Sequence, residues 1–140
     1  MSGVRLNHIG IAVQNRPEME RLFRLLGLVK THEESVPSQG VNTHFYPLPV
    51  DGLAFELLEP VDPAGVIAKF MEKKGPGIHH LSLTVEKGGL DSLLSDLKQN
   101  GFTPLYPEPR PGAHQMRINF LHPKTTGGVL IELMEPADAH

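Results

Sequence analysis

The chain has 140 residues, of which 39% are hydrophobic, and a net charge of -3, which suits one packed domain or two small modules that share a core. The chain has too few apolar residues for a membrane-spanning segment. Its negative net charge and the lack of a block of Lys and Arg argue against nucleic acid as a main partner. Cysteine is absent, which excludes disulfides, thiolate metal ligands and cysteine nucleophiles. We therefore expect a globular protein of a cytoplasmic type of compartment, with no signal or transit peptide before its first strand.

The first half of the chain predicts a strand, a helix and further strands, in that order. A strand is predicted over Asn7–Val13. Pro17 then stands at the opening turn of a helix whose apolar residues recur at helical spacing, and Gly27 caps its end. Residues 36–51 predict one or two strands, and residues 53–60 predict another.

The second half repeats this order after a connector at residues 61–77, which carries a short helical stripe. Its elements are a strand over His79–Val85, a helix closed by Gly101, a proline-rich extended loop at residues 104–111, and strands at residues 116–121 and 129–136. The pattern predicts an α+β fold in one domain of residues 1–140, built from two repeated units that each contain a strand, a helix and further strands.

The repeat is also visible residue by residue. The segment Asn7–Val13 reappears 72 residues later, which places His80 at the position of His8. The segment at residues 53–60 reappears 76 residues later, which places Glu132 at the position of Glu56. Two copies of one unit thus bring an imidazole and a carboxylate to equivalent positions.

The alternation of side chains along a strand sharpens this pattern. His8 and His80 share their faces with small residues, while the large aliphatic residues point to the opposite faces, where the helices would cover them. A strand carboxylate with apolar neighbours is costly to bury unless something pairs with it. One strand histidine or glutamate alone would more often be an ordinary core or surface residue. Because all four recur together, we predict that His8, Glu56, His80 and Glu132 bind a divalent metal.

The other histidines give no comparable signal. His79 points away from the face of His80, His32 and His114 fall in polar segments expected to be loops, and His122 precedes a proline as a turn residue. His44 is ambiguous at this level.

These residues resemble the vicinal oxygen chelate superfamily, which includes glyoxalases, bleomycin resistance proteins and dioxygenases, and within it the methylmalonyl-CoA epimerase family. The resemblance spans nearly the whole chain, and its most specific segments are residues 120–124 and 127–133. It implies two βαβββ modules, at residues 5–60 and 78–136, that form a cupped mixed sheet around a central metal site. It also implies metal ligands at His8, Glu56, His80 and Glu132, an acyl-CoA thioester substrate and a homodimer. Imidazole and oxygen ligands suit Co, Mn, Mg, Ni or Zn, and the sequence does not choose among them.

The resemblance also implies a reaction in which the α-proton between a thioester carbonyl and a carboxylate is removed, through a metal-stabilised enediolate, and the 2R and 2S forms of methylmalonyl-CoA interconvert. Epimerisation needs one group on each face of that carbon. Glu132 is the first candidate base, and Glu56 or His44 would serve the other face. Some epimerases carry a catalytic glutamate just after a Gln-Gly-Val stretch, whereas this chain has Asn42, Thr43 and His44 there.

Two alternatives remain open. Glyoxalase I uses the same metal and a similar proton transfer on a glutathione hemithioacetal. A metal-free binding protein of the bleomycin-resistance type would use the same fold as a cup, although the four candidate ligands argue against it. The fourth ligand also argues against an iron dioxygenase, which would show two histidines and one glutamate.

Overall fold

In the computed structural model, residues 3–137 are described, and they divide into two compact units. The N-terminal unit comprises residues 8–79, and the C-terminal unit comprises residues 3–7 and 80–137. Two strands cross this boundary. The strand over residues 5–12 begins in the C-terminal unit and ends in the N-terminal unit. The strand over residues 77–84 begins in the N-terminal unit and ends in the C-terminal unit.

The N-terminal unit contains four strands and two α-helices, and its order begins βαβββ as predicted. They are β1 (Arg5–Ala12), α1 (Arg16–Leu25), β2 (His32–Val36), β3 (Val41–Pro47), β4 (Ala54–Pro60) and α2 (Val66–Lys74). The strands lie in the order β2-β3-β4-β1, with β1 parallel to β4 and the other neighbours antiparallel. His32 begins β2, so the prediction that it lies in a loop is wrong. Its polar segment forms a strand because it pairs along its length with β3.

The C-terminal unit repeats this arrangement. Its elements are β5 (Gly77–Thr84), α3 (Leu90–Gln99), β6 (Arg110–Pro111), β7 (Met116–Leu121) and β8 (Ile131–Pro136). The strands lie in the order β5-β8-β7-β6, again with the first pair parallel and the others antiparallel. The predicted α+β class and the doubled βαβββ order are therefore confirmed.

The two long helices end in the same way, as their glycines predicted. Gly27 has a φ of 85° after α1, and Gly101 has a φ of 92° after α3. The next N–H group in each case donates back into the helix, Leu28 to the Phe23 carbonyl at 2.9 Å and Phe102 to the Leu97 carbonyl at 3.0 Å. A left-handed residue at this position favours glycine because it lacks a Cβ.

The helices α1 and α3 each cover the aliphatic face of the strands in their own unit. In the N-terminal unit Phe23 of α1 packs with Val13, Tyr46 and Leu57, and Ile11 lies against this cluster. The matching cluster of the C-terminal unit is formed by Val85, Leu90, Leu94, Leu121 and Leu133. Burying side chains of this size contributes about 1.5–3 kcal/mol each. Among residues 3–137 no helix is long and apolar enough to cross a membrane.

A buried carboxylate ties α1 to β3. Glu20 is 5% exposed and accepts hydrogen bonds from the Tyr46 hydroxyl at 2.5 Å and from Arg16, and its Oε2 lies 3.1 Å from Lys30 Nζ. Burial by itself would raise the pKa of Glu20, but the hydrogen bonds from Tyr46, Lys30 and Arg16 outweigh it and lower the pKa from 4.5 to about 2.

The lowered pKa predicts a loss of stability in acid. Glu20 contributes to the free energy of unfolding above pH 4.5, and this contribution is lost as the pH falls towards about 2. We expect Glu20→Gln to lower the free energy of unfolding by about 3 kcal/mol at pH 7, and the difference from wild type to vanish near pH 2. Denaturant titrations at several pH values measure this, with the exposed Glu72→Gln as control at less than about 0.5 kcal/mol. An equal difference at pH 7 and pH 2 would refute the assignment.

Candidate functional site

The first His–Glu pair lies on β1 and β4. These parallel strands place Gly10 opposite Glu56 and Ala54 opposite His8. His8 Nε2 is 3.5 Å from Glu56 Oε1, and both residues are buried, at 3% and 4% exposure. The pair occupies the sheet face opposite α1, as the strand alternation predicted.

The second pair repeats the first on β5 and β8. These strands are also parallel, and Ser82 lies opposite Glu132 as Gly10 lies opposite Glu56. His80 Nε2 is 3.5 Å from Glu132 Oε1, and both residues are buried. Each unit thus presents one imidazole nitrogen and one carboxylate oxygen at the same separation.

An aromatic ring supports the histidine in each unit, a feature that we did not predict. Phe45 on β3 lies opposite Glu56, and its ring meets the ring of His8 edge-on at 6.3 Å and 74°. Phe120 on β7 lies opposite Glu132 and meets His80 at 6.0 Å and 88°. Phe45 and Phe120 occupy matching positions of the repeat, and this match could have indicated from the sequence that they support the histidines. The rings restrict how the two imidazoles can turn.

The donor atoms suit a divalent metal. Histidine nitrogen and carboxylate oxygen are ligands of Zn, Mn, Co and Ni, and a cation would offset the cost of burying the carboxylates. Ser82, fully buried on the His80 face, and Thr84 each carry a hydroxyl oxygen without a hydrogen-bond partner within the described part of the chain. Since a buried polar group without a partner costs about 1–3 kcal/mol, this face fits a bound group that offers polar atoms.

Tyr106 borders the same face of the C-terminal unit. Its ring packs edge-on against Phe120 at 6.0 Å, and the guanidinium of Arg110 lies 3.8 Å from its centre. The pKa of Tyr106 is raised, mainly by burial and further by the negative charge of Glu132, while Arg110 opposes the shift. The Tyr106 hydroxyl therefore stays protonated near Glu132. The sequence pattern of the proline-rich loop did not mark Tyr106 as a residue near the site.

The structure does not bring His44 to the face of the first pair. Along β3 His44 points to the side opposite Phe45, and both of its ring nitrogens lie 3.1 Å from carboxylate oxygens, those of Glu33 and Glu59. It is 2% exposed and lies 3.9 Å from Glu20. His44 thus belongs to the polar cluster beneath α1, which gives no support to its predicted role as a base.

Comparison with known proteins agrees with this fold. Residues 7–120 match the Glyoxalase/Bleomycin resistance protein/Dioxygenase superfamily, and the chain belongs to this superfamily.

Within this superfamily, the chain is similar over nearly its whole length to methylmalonyl-CoA epimerases. The chain is 37% identical to the ethylmalonyl-CoA/methylmalonyl-CoA epimerase of Cereibacter sphaeroides over 132 residues, which cover 92% of this chain and 96% of that protein. The crystal structure of methylmalonyl-CoA epimerase from Mycobacterium tuberculosis has a TM-score of 0.88 at 40% identity, covering 95% of this chain and 88% of that one. A variant of the Streptomyces coelicolor methylmalonyl-CoA epimerase in complex with 2-nitronate-propionyl-CoA has a TM-score of 0.87 at 34% identity, covering 98% of this chain and all of that one. These findings confirm the predicted glyoxalase-like fold and the predicted resemblance to methylmalonyl-CoA epimerases, which are racemases and epimerases.

Proposed function

We propose that the protein is a metal-dependent epimerase that interconverts the 2R and 2S forms of methylmalonyl-CoA. The observation that carries this proposal is the buried His–Glu pair that recurs, with the same 3.5 Å separation, in both units. Similarity to methylmalonyl-CoA epimerases over nearly the whole chain supports an acyl-CoA thioester as the substrate.

His8, Glu56, His80 and Glu132 are the proposed ligands of one divalent metal. When bound, the metal supplies Lewis-acid stabilisation of the negative charge that develops on oxygen as the α-proton leaves. The four side chains contribute two neutral imidazoles and two carboxylates, and Phe45 and Phe120 hold the imidazoles in place. Co, Mn, Mg, Ni and Zn all remain compatible with this donor set.

Glu132 is the proposed base for one face of the substrate carbon. Glu132 is 7% exposed, which limits the access of bulk water to its carboxylate. The Ser82 hydroxyl lies on the same face, and the ring of Tyr106 packs against Phe120 at its border. Both hydroxyls could donate to substrate oxygens, which would orient the substrate. Glu56 is the other carboxylate of the proposed site and an alternative base.

A homodimer and a cytoplasmic location complete the proposal. The first rests on the resemblance, and the second rests on the lack of cysteine. Sedimentation of the purified protein tests the dimer directly.

Proton exchange in deuterated water tests the function itself. The wild-type protein, supplied with each of the five metals in turn, is expected to wash deuterium into the α-position of methylmalonyl-CoA and to interconvert its epimers, both measurable by NMR. Removal of the metal by a chelator should abolish the exchange, and adding it back should restore it. Turnover of a glutathione hemithioacetal without exchange on methylmalonyl-CoA would favour glyoxalase I instead.

A further inference from the structure

The edge strand β6 of the C-terminal unit places an arginine on the face of His80 and Glu132. Arg110 lies opposite Ile118 across β6 and β7, and Ile118 lies opposite Met134 across β7 and β8. Residues directly opposite one another in a sheet point to the same side, and Met134 shares its side of β8 with Glu132, two residues before it. Arg110 therefore lies at the outer edge of the face that carries the second His–Glu pair.

The side chain of Arg110 is held by the ring beneath it. Its guanidinium lies over the ring of Tyr106, 3.8 Å from the centre. The backbone of Tyr106 is in turn held by the amide of Asn119, which is 1% exposed and which accepts from the Tyr106 N–H and donates to the Tyr106 carbonyl, each at 3.1 Å. The ring of Tyr106 packs against Phe120, and Phe120 packs against His80. The guanidinium thus has a defined place beside the second pair before any ligand binds.

The charge of Arg110 is available to a ligand. Arg110 is exposed, and no carboxylate within residues 3–137 forms an ion pair with it. By contrast, Arg117 on β7 points to the other side and pairs with Asp91 at 3.2 Å and with the buried Glu135. A guanidinium binds phosphate or carboxylate through two parallel N–H donors, and it also stacks well on an aromatic ring. Arg110 is therefore suited to bind an anionic group of a bound molecule.

We propose that Arg110 determines the specificity of the epimerase for coenzyme A thioesters by binding a phosphate group of coenzyme A. This inference rests on the proposed function, which names the acyl-CoA substrate and places its reacting carbon at Glu132. A base acts on a proton within hydrogen-bond reach, about 3 Å, so the acyl group lies close to the Glu132 carboxylate. Two strand spacings, roughly 10 Å, separate the backbone of β6 from that of β8, so Arg110 meets a more distant part of the substrate.

Coenzyme A has anionic groups at such a distance from the reacting carbon. Its phosphates lie beyond the pantetheine arm, which ends at the thioester sulfur. The carboxylate of the acyl group, by contrast, is attached to the reacting carbon itself, whereas the rings of Phe120 and Tyr106 lie between the second pair and the guanidinium. A phosphate is therefore the anion that fits Arg110.

Two thioesters of the same acyl group test this assignment. Methylmalonyl-CoA carries phosphates and methylmalonyl-pantetheine carries none, while both retain the acyl carboxylate. In the metal-loaded protein, Arg110→Gln is expected to raise the KM for methylmalonyl-CoA by about 10–100-fold, as for the loss of hydrogen bonds to a charged group, and to leave kcat near the wild-type value. The KM for methylmalonyl-pantetheine should be the same in both proteins. Epimer interconversion followed by NMR gives both constants.

Two further variants separate phosphate binding from a general effect of the substitution. Arg21→Gln makes the same change at an exposed arginine of α1 and should keep the wild-type constants with both thioesters. Arg110→Lys retains the charge without the planar guanidinium and should recover part of the lost affinity. Metal content is expected to equal that of wild type in all three variants.

Three results would overturn the inference and leave the proposed function standing. These are an unchanged KM for methylmalonyl-CoA in Arg110→Gln, a loss confined to kcat, or an equal rise in KM for both thioesters, which would assign Arg110 to the acyl carboxylate or to loop packing. Failure of the wild-type protein to interconvert the epimers of either thioester with any of the five metals would remove the proposed function and the inference together.

Discussion

Replacing Glu132 by Gln is expected to slow the interconversion of the methylmalonyl-CoA epimers by about 10²–10⁴-fold, because the amide cannot take up the α-proton. Gln has nearly the shape of Glu, so the β5–β8 pairing and the packing around Phe120 should remain. His80 stays in place, and part of the metal affinity should remain with it. The rate of α-proton exchange, followed by NMR in deuterated water for each epimer separately, measures the loss.

The exposed Glu86 gives a matched control in the same unit. Glu86 follows the end of β5 at Thr84, and Glu86→Gln, which makes the same chemical change outside the strand, should keep the wild-type rate. Glu56→Gln distinguishes the two carboxylates, since a ligand role predicts weaker metal binding with both epimers affected alike. If Glu132→Gln retains wild-type exchange from both epimers while Glu56→Gln loses it from one, Glu56 is the base.

Replacing His8 or His80 by Ala is expected to remove most of the bound metal, from about one ion per chain in wild type. Loss of a residue that only supports a ligand typically costs about 10–100-fold in metal affinity, so loss of a ligand should cost at least about 100-fold. Elemental analysis after dialysis and a competition titration with a chelator measure the two quantities.

His79 is the natural control, because it directly precedes His80 and packs against Phe70 at 4.8 Å instead. His79→Ala should retain the metal. The volume-conserving His8→Gln and His80→Gln separate ligand loss from collapse of a buried site, since they should fold as wild type does and still lose metal. Full metal retention in both alanine variants would refute the ligand assignment.

Much of this architecture could be predicted from local patterns. The helical spacing that ends at Gly27 and at Gly101 predicted α1 and α3, and both glycines adopt the expected left-handed conformation. Alternation along β1 correctly separated His8 from Ile11, which packs against the cluster around Phe23. These predictions succeed because side-chain direction within one element depends only on its own backbone geometry.

Predictions that needed a partner strand were less secure. His32 lies in a polar segment with no alternating apolar pattern, yet it forms β2 because β3 supplies its hydrogen bonds. The sequence left His44 ambiguous, and the structure places it beneath α1 between Glu33 and Glu59. The sequence of a strand alone does not show which of its two faces is covered by a helix, because that depends on the neighbouring elements.

The sequence alone thus determined the doubled unit, its helices and strands, and the four residues proposed to bind a metal, because an internal repeat compares the chain with itself. The tertiary structure decided the parallel register of β1 with β4 and of β5 with β8, which brings each histidine to 3.5 Å from its glutamate. It also decided that Phe45 and Phe120 support those histidines and that Arg110 shares the face of Glu132. Register and shared faces arise from pairing between segments far apart in the chain, and local periodicity carries no information about that pairing.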